Sequence, residues 1–366
     1  MNYMKEYDLV IIGGGPAGLS AAKIASEAGV HSLVVERDQK LGGQLIKQTH
    51  MFFGSEKQYA KTRGINIAKI LVNDVEKQSK YVTIMTDTTV VGIYDDYVIT
   101  LLNQEKYIKI KANAIIIATG ASEKFLAFEN NDLPGIYGAG AVQTFMNVHG
   151  VLPGENVVMV GSGNIGLIVS YQLLQAGVNV KAVLEASSKI GGYKVHASKL
   201  ARLDVPIHTN TTIKRAIGKD YLEVIETIKL DDLWNHIPGT ESLIKCDSLC
   251  ISVGLSPLSS LLSMVGADMK YISKLGGNVA VIDQYHETSI KNVFVAGDVC
   301  GVEEASSAIV EGYYTGLIVA KRLGYTHPNF NTLFTEYEGQ LDNLRSGPFG
   351  KRTREGLEEL RRDLDA

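Results

Sequence analysis

The strongest pattern along the chain is an apolar run, a glycine-rich turn and a helical stretch, and this pattern occurs twice. The runs at residues 9–12 and 157–160 are short and rich in β-branched side chains, as in parallel strands buried on both faces. After each turn, apolar residues recur at helical spacing until an Ala-Gly pair, which is a helix stop. A second apolar run then ends in an acidic residue. Each copy therefore predicts a strand, a tight turn, a helix and a second strand.

The two copies match at the positions that a bound nucleotide needs. The corresponding pairs are Gly13 with Gly161, Gly15 with Gly163, Gly18 with Gly166, and Glu36 with Glu185. The first glycine permits the turn, the second lets a pyrophosphate approach the backbone, and the third lets helix and strand pack closely. The helix N-terminus offers N–H groups to the phosphates, and the acid accepts hydrogen bonds from a ribose. One such turn is weak evidence, but two complete copies predict two dinucleotide-binding folds.

The composition agrees with a globular protein of two or three domains. The chain has 366 residues, of which 45% are apolar and 21% charged, with 37 glycines against 8 prolines. Its net charge of −4 provides no basic field for nucleic acid or an anionic membrane. No apolar run approaches the roughly 20 residues that span a bilayer, and the N-terminal run is interpreted as a strand, not a signal peptide. We therefore expect a cytoplasmic protein that binds neither nucleic acid nor membrane.

The three cysteines do not form a recognised redox or metal motif. Cys246 and Cys250 are spaced C-x3-C beside an apolar run, and Cys300 stands apart. This spacing is neither the redox C-x-x-C nor a zinc pattern, so we expect buried structural thiols and no metal site. The eight histidines show no Ser-His-Asp or metal-ligand arrangement.

Four stretches give the chain a resemblance to a known family of flavoproteins. They are residues 13–18 with Glu36-Arg37, residues 41–44, residues 118–120 and residues 293–299. In this order they resemble the pyridine nucleotide-disulfide oxidoreductase superfamily, of which thioredoxin reductase and glutathione reductase are members. The resemblance implies an α/β fold of two Rossmann-like, three-layer dinucleotide-binding domains, the second inserted in the first. It also implies FAD in the first domain and a nicotinamide nucleotide in the second.

Carried over to this sequence, the resemblance implies two sets of cofactor-binding residues. The FAD set is Gly13, Gly15, Pro16, Ala17, Gly18, Glu36, Arg37, Gly43, Gln44, Val90, Thr119, Gly120, Gly297, Asp298 and Ser306. The NAD set is Gly161, Gly163, Asn164, Ile165, Gly166 and Glu185. Glu185 favours NAD over NADP, because a carboxylate repels a 2′-phosphate and only Lys189 and Lys194 lie nearby. A bare adenine nucleotide at one of the sites stays open as an alternative.

The sequence lacks the redox cysteines of the family's disulfide reductases. Residues 42–50, where one branch carries them, contain none. Cys246 and Cys250 have neither the place nor the spacing of the other branch. We therefore expect no disulfide reductase activity. Ala305 and Ser306 stand where thioredoxin reductase-like proteins carry Arg-Gln, so we also expect different flavin surroundings.

Two histidines are weak candidates for a direct role. His50 lies in the loop that borders the flavin in the family, where it could exchange protons with a substrate or the flavin. His196 follows the second Gly-Gly pair and could contact a nucleotide phosphate. A surface or packing role is the favoured interpretation of both, so the catalytic residues are left unassigned.

The predicted layout divides the chain into two domains and a tail. We assign residues 1–121 and 253–330 to the FAD-binding domain, 122–252 to the NAD-binding domain and 331–366 to a C-terminal helical tail. Alternation of apolar and polar residues over 81–110 predicts antiparallel strands.

Two helices are predicted near the C-terminus. One covers residues 303–322 and stops before Gly324. The other covers residues 353–364 and carries a stripe of leucines, which are Leu357, Leu360 and Leu364. This stripe either packs on its own domain or contacts a partner.

Within the family, the chain resembles the α or A subunits of opine oxidase, hydrogen cyanide synthase, sarcosine oxidase and dye-linked proline dehydrogenase. The resembling stretches are residues 42–44, 133–137, 193–195 and 246–257. The resemblance implies an FAD-dependent, NAD-linked oxidoreductase that relays electrons as a subunit of a multi-component amino-acid or amine dehydrogenase. It implies an oligomer whose partners are an amine- or amino-acid-oxidising flavoprotein subunit and a small iron–sulfur protein. The alternatives are a stand-alone NADH-dependent flavin reductase or oxidase and a non-catalytic, nucleotide-holding scaffold subunit.

Overall fold

The computed structural model describes residues 4–347 and 350–361 of the chain. The strands are Lys5–Ile12 (β1), Ser32–Val35 (β2), Val82–Met85 (β3), Thr88–Ile93 (β4), Val98–Asn103 (β5), Lys106–Ile117 (β6), Ala121–Glu123 (β7), Ile136–Gly138 (β8), Asn156–Val160 (β9), Asn179–Leu184 (β10), Ile207–His208 (β11), Thr211–Ile217 (β12), Val224–Lys229 (β13), Ser242–Lys245 (β14), Ser248–Ile251 (β15), Leu255–Pro257 (β16), Met269–Ile272 (β17), Gly277–Ala280 (β18) and Val293–Val295 (β19). The α-helices are Pro16–Glu27 (α1), Gly64–Glu76 (α2), Ala139–His149 (α3), Asn164–Gln175 (α4), Lys194–Ala201 (α5), Ser260–Met264 (α6), Ala305–Arg322 (α7), Phe330–Ser346 (α8) and Lys351–Arg361 (α9).

The chain forms two compact units. Unit 1 comprises residues 1–122 and 256–366, and unit 2 comprises residues 123–255. Unit 2 is therefore an insertion within the sequence of unit 1. Each unit contains one copy of the repeated strand–turn–helix–strand pattern.

Each unit contains its own parallel sheet, and the equivalent strands of the two sheets follow the same order. In unit 1 the parallel strands run β3-β2-β1-β6-β19. β5 pairs antiparallel with the first half of β6, and β4 pairs antiparallel with β5. In unit 2 the parallel order is β11-β10-β9-β15-β8, and β12, β13 and β14 form a separate antiparallel sheet. The carboxyl ends of the parallel strands meet at one edge, where ligands bind in such sheets.

Each parallel sheet is covered on both faces, which makes each unit a three-layer structure. Along β1, Leu9 and Ile11 point into one hydrophobic cluster while Val10 and Ile12 point into another. The residues of β9 alternate in the same way between two clusters of unit 2. Burial on both faces explains why these strands are continuous apolar runs in the sequence. The predicted fold class is confirmed.

One part of the strand prediction is wrong. Residues 81–110 are not antiparallel throughout, because β3 pairs parallel to β2. The chain reaches β3 from β2 through α2, and a strand that returns after a helical crossover joins its sheet in parallel. Only β4, β5 and the first half of β6 are antiparallel, as predicted.

The C-terminal helices pack on unit 1. Leu360 of α9 is fully buried in a core cluster of this unit, and Leu357 packs against the same cluster. Leu364, predicted on the same face, lies outside the described residues. The apolar stripe of α9 therefore contacts its own unit. Helix α7 begins at Ala305, two residues after the predicted start, and ends at Arg322 as expected.

No helix in the described part of the chain combines the length and the apolar character that crossing a membrane requires.

Candidate functional site

The first glycine turn joins β1 to α1 in unit 1, and its first and third glycines are required by close packing. Gly13 has a φ of +111°, and its N–H donates to the Val35 carbonyl at 2.8 Å. A Cβ on Gly13 would overlap the Ala118 carbonyl oxygen at the end of β6. A Cβ on Gly18 would overlap the carbonyl oxygen of Gly13 itself. A larger residue at position 13 would push the turn away from the end of β6, and one at position 18 would push α1 away from the turn.

The second glycine of this turn faces open space. Gly15 is the N-cap of α1, Pro16 begins the helix, and no side chain of the described residues caps this end. A Cβ on Gly15 would meet only the Cα of Gly43, at 3.8 Å. The helix N-terminus with its partial positive charge is therefore accessible, which is the arrangement that binds a pyrophosphate. The geometry of unit 1 fits a dinucleotide at this position.

The acidic residue after β2 is tied directly to the turn. Glu36 is 8% exposed, and its carboxylate accepts hydrogen bonds from the Gly14 N–H at 2.7 Å and the Asp38 N–H at 2.9 Å. A carboxylate offers about four acceptor positions, so two remain for the hydroxyls of a ribose. Arg37 is exposed and lies near Asp38, with 3.8 Å between Nε and Oδ1.

The Gly-Gly loop after β2 folds against the glycine turn. The Gly42 N–H donates to the Gly14 carbonyl at 2.8 Å. A Cβ on Gly43 would lie 2.8 Å from the Cα of Gly15, so this approach needs a glycine. Gln44 follows on the exposed side. The structure thus brings Gly43 beside Gly15, as expected if both border one cofactor.

The loop after β19 reaches the same turn from the other side. β19 pairs with the end of β6, and a Cβ on Gly297 would lie 2.8 Å from the Cβ of Ala17 in the first turn of α1. Burial, aided by the carboxyls of Glu311 and Glu303, raises the pKa of Asp298 to about 7. A pKa in this range means that the protonated and ionised forms of this carboxyl are both populated near neutral pH.

The remaining residues of the predicted FAD set have varied surroundings. Thr119 follows β6, and its hydroxyl donates to the Leu258 carbonyl at 2.8 Å, while Gly120 comes next in a left-handed conformation. Ser306 is buried in the first turn of α7. Val90 packs against the hydrophobic core from β4, so nothing in its surroundings marks it as a ligand residue.

The second glycine turn, in unit 2, repeats the geometry of the first. The N–H of Gly161 donates to the Leu184 carbonyl at 2.8 Å, and a Cβ on Gly161 would overlap the Ser252 carbonyl oxygen. A Cβ on Gly166 would overlap the carbonyl oxygen of Gly161. Gly163 is the N-cap of α4, and a Cβ there would meet nothing within 4 Å. The geometry of unit 2 therefore fits a second dinucleotide.

The acid of the second turn is held by three donors. Glu185 accepts hydrogen bonds from the Ser162 N–H at 2.9 Å, from the Ser162 hydroxyl at 2.5 Å and from the Ser187 N–H at 2.9 Å. Burial alone would raise the pKa of Glu185, but these bonds outweigh it and hold the pKa below its ordinary value. Glu185 is therefore a firmly ionised carboxylate.

Asn164 and Ile165 open helix α4 and differ in what they contact. The Asn164 side-chain oxygen accepts the Tyr193 N–H at 2.8 Å, so this residue fixes the loop after the second Gly-Gly pair. Ile165 is 41% exposed on the open side of the turn. Ser162 escaped the sequence prediction, although its hydroxyl stands between two glycines of the motif and also accepts the Gly191 N–H at 3.1 Å.

The two candidate histidines have packing partners. His50 stacks on Phe52 with 5.9 Å between ring centroids. His196 is buried in α5 against the edge of Tyr193, and burial together with Lys199 lowers its pKa. His196 is therefore uncharged near neutral pH, which weakens it as a phosphate ligand.

The three cysteines are free thiols and all are buried. Burial raises the pKa of Cys246 to about 12 and raises the pKa values of Cys250 and Cys300 further above their ordinary range. A thiol with a raised pKa is a poor nucleophile. Within residues 4–347 and 350–361, no group of three His, Cys, Asp or Glu side chains is placed to hold a metal ion.

Comparison with known proteins connects this geometry to a family. A family model described as pyridine nucleotide-disulphide oxidoreductase matches residues 7–312. The hydrogen cyanide synthase subunit HcnB of Pseudomonas protegens is 25% identical over 335 residues, which are 86% of this chain and 70% of that subunit. The sarcosine oxidase subunit alpha of a Corynebacterium species is also 25% identical over 87% of this chain, but the match spans only 33% of that subunit.

The fold has a counterpart among solved structures. The crystal structure of L-proline dehydrogenase from P. horikoshii matches with a TM-score of 0.71 and 23% identity, over 94% of this chain and 60% of that chain. At this identity the match shows the fold alone. Together with the family model, it confirms the resemblance predicted from the motifs.

Proposed function

The chain belongs to the pyridine nucleotide-disulphide oxidoreductase family, and we propose that it is an FAD-dependent, NAD-linked oxidoreductase that relays electrons. The observation that carries the proposal is that the chain contains two nucleotide cradles. Each cradle consists of a tight glycine turn, an open helix N-terminus and a fixed carboxylate. When bound, FAD and NAD supply the hydride and electron chemistry, and the protein supplies position and electrostatics.

Unit 1 is proposed to hold FAD. The α1 N-terminus would bind the pyrophosphate, Glu36 the adenosine ribose, and the loops that carry Gly43, Thr119 and Asp298 the rest of the molecule. The support is their convergence on one edge: Gly43 lies against Gly15, and Gly297 lies against Ala17. The raised pKa of Asp298 lets this carboxyl donate or accept a hydrogen bond near neutral pH.

Unit 2 is proposed to hold NAD, with NADP disfavoured. Glu185 would accept hydrogen bonds from the ribose, while its fixed negative charge would repel a 2′-phosphate. The open face at Gly163 gives the pyrophosphate access to the α4 N-terminus.

We further propose that the protein is not a disulfide reductase. Disulfide exchange needs a thiolate that can reach its partner, whereas all three thiols are buried with raised pKa values. The loop at residues 42–50, beside the predicted flavin site, contains no cysteine.

The physiological role proposed is that of one subunit in an amino-acid or amine dehydrogenase. HcnB and the sarcosine oxidase subunit alpha are, by name, subunits of larger enzymes, and this chain matches only part of each. The partners proposed are an amine- or amino-acid-oxidising flavoprotein subunit and a small iron–sulfur protein. These 366 residues contain three cysteines, fewer than the Cys₄ ligand set of common iron–sulfur clusters, so they do not supply such a set themselves.

The test is to purify the chain alone and with its native partners, and to identify bound cofactors by absorbance and mass. The proposal expects a yellow protein with bound FAD, whose flavin is reduced rapidly only when an amino-acid-oxidising partner and its substrate are present. Rapid bleaching by NADH without any partner would instead indicate a stand-alone reductase or oxidase. Retained nucleotide with no flavin spectrum and no turnover would indicate a scaffold subunit that holds a bare adenine nucleotide or NAD.

A further inference from the structure

A buried ionic cluster links the C-terminal helix α8 to helix α7 and to the loop before it. Arg345 of α8 donates to the Glu303 carboxylate, with distances of 3.0 Å from Nε and 2.6 Å from Nη2 to Oε1. The same Nη2 also donates to Glu311 of α7. The three side chains are 10%, 11% and 5% exposed, in the order Arg345, Glu303 and Glu311. An ion pair this deeply buried needs all its partners, because removing one leaves an uncompensated charge in the protein interior.

The two carboxylates control the two ends of one short segment, residues 297–303. At its start, the N–H of Gly297 donates to Glu311 Oε2 at 2.8 Å. At its end, the N–H of Glu303 donates to Asp298 Oδ1 at 3.3 Å, while the Glu303 side chain is held by Arg345. Arg345 therefore fixes both ends of the segment through a single guanidinium group.

This segment lies beside the first glycine turn. Gly297 contacts Ala17 in the first turn of α1, and α7 packs so closely on α1 that a Cβ on Gly312 would overlap the Ala17 carbonyl oxygen. A displacement of the segment or of α7 would therefore also shift the N-terminus of α1, which the proposed function assigns to the pyrophosphate.

The charges in this region also require Arg345. Burial raises the pKa values of Glu303 and Glu311, and the Arg345 guanidinium opposes both shifts. Asp298 adds a third carboxyl to the same cluster. Among the described residues that bond to these carboxylates, Arg345 supplies the cation. It lies beyond the 7–312 region that the family model matches, so the family pattern does not account for it.

We propose that Arg345 is a positioning residue for FAD: it holds segment 297–303 against the α1 glycine turn and offsets the buried carboxylates next to the pyrophosphate site. Helix α8 is then part of the cofactor site of unit 1 and not merely an appended tail. This inference rests on the proposed function, because it assumes that unit 1 binds FAD.

The experiment compares Arg345→Met with Arg322→Met in the full chain. Arg322 is a matched control, since it also bonds a glutamate of unit 1, Glu287 at 2.8 Å, but is 47% exposed. The readouts are the Kd for FAD, the visible absorption spectrum of the bound flavin and its reduction potential. Arg345→Met is expected to raise the FAD Kd about tenfold or more and to shift the spectrum and the potential. Arg322→Met is expected to stay within about twofold of the wild type.

Two further variants separate positioning from simple loss of folding. Arg345→Met/Glu311→Gln keeps an acceptor for the Gly297 N–H but removes a buried charge, so it is expected to recover part of the lost FAD affinity. Arg345→Lys keeps the charge but cannot bond both carboxylates as a planar fork, so its FAD Kd is expected to rise about two- to tenfold. Urea unfolding followed by circular dichroism is the folding control for every variant, because it reports the stability of unit 1 itself.

The results distinguish failure of the positioning role from failure of the proposed function. If the wild type binds FAD and neither Arg345→Met nor Arg345→Lys changes the Kd, the spectrum or the potential beyond the Arg322→Met control, the positioning role is wrong and the proposed function stands. If the wild type itself takes up no FAD on reconstitution, the proposed function fails and the positioning role fails with it.

Discussion

The two glycine turns have the same backbone geometry, but their acidic residues are held differently. Glu36 accepts two backbone N–H groups, from Gly14 and Asp38. Glu185 accepts the two equivalent N–H groups and, in addition, the hydroxyl of Ser162. Both acids thus accept hydrogen bonds from two equivalent main-chain N–H groups, and Glu185 differs by one additional bond from the Ser162 hydroxyl.

Unit 1 has no room for the hydroxyl that unit 2 uses. A Cβ on Gly14 would overlap Leu41 Cδ2 and lie 3.1 Å from Glu36 Oε2. In unit 2 the Ser162 hydroxyl both donates to Glu185 and accepts from Gly191 N–H, so it joins the acid to the second Gly-Gly loop. The two copies in this chain therefore preserve the backbone contacts to the acid and differ in the side chain beside it.

The largest effect is expected at the third glycine of each turn. In Gly18→Ala and Gly166→Ala the new methyl group would overlap a backbone oxygen, so each variant should lose about 3–5 kcal/mol of unfolding free energy in its own unit. Urea unfolding followed by circular dichroism measures the loss. Gly339→Ala in α8 is the control, because a Cβ there meets nothing within 4 Å. Equal stability of all three variants would show that the tight packing is dispensable.

The second glycine of each turn should separate binding from stability. Gly15 and Gly163 have negative φ values that alanine can adopt, and a Cβ on either meets no close neighbour. Gly15→Ala and Gly163→Ala should therefore unfold within about 1 kcal/mol of the wild type but bind FAD and NADH, respectively, about tenfold or more weakly. Titration of each nucleotide measures the Kd. Unchanged affinity would mean that the pyrophosphate does not approach these backbones.

A smaller effect should follow from removing the hydroxyl that distinguishes unit 2. Ser162→Gly copies the arrangement of unit 1 and deletes one hydrogen bond to Glu185, which should weaken NADH binding about two- to tenfold and leave FAD binding unchanged. Ser198→Ala on the exposed face of α5 is the control. An NADH affinity equal to that of the control would remove Ser162 from the site.

The smallest effect is expected in the acid dependence of stability. The pKa of Glu185 is lower in the folded protein than its ordinary value of 4.5, so its stabilising contribution is complete above that pH and is lost as the pH falls through the folded pKa. Ser162→Gly should raise the folded pKa towards 4.5 and make the acid-dependent loss of unfolding free energy shallower. Urea unfolding at a series of pH values tests this, with Glu185→Gln as the variant that lacks the titration. Identical pH slopes in Ser162→Gly and the wild type would contradict it.

The features predicted correctly are those whose cause lies within a short stretch of chain. A glycine turn, the helix after it and the carboxylate after the next strand belong to one local unit, and the spacing of Gly13, Gly18 and Glu36 already specifies their contacts. The continuous apolar runs likewise predict strands buried on both faces, as β1 and β9 are. The assignment of FAD and NAD to these cradles stays a prediction.

The features that were missed depend on contacts between distant parts of the chain. The alternation in residues 82–85 indicates a strand, but its parallel partner β2 follows from the route of the chain through α2. Arg345 resembles any arginine of an amphipathic tail until folding places it between Glu303 and Glu311. Nothing in the local pattern around Ser162 shows that its hydroxyl would meet a carboxylate that is 23 residues away.

The sequence by itself therefore determined that the chain forms two dinucleotide-binding folds, because steric and hydrogen-bonding requirements at each glycine turn are local and leave few residue choices. The tertiary structure decided which side chains complete each cradle, where α8 and α9 pack, and how the buried charges near Asp298 are balanced. Those outcomes depend on burial and on distances between elements far apart in sequence. Neither quantity exists before the chain has folded.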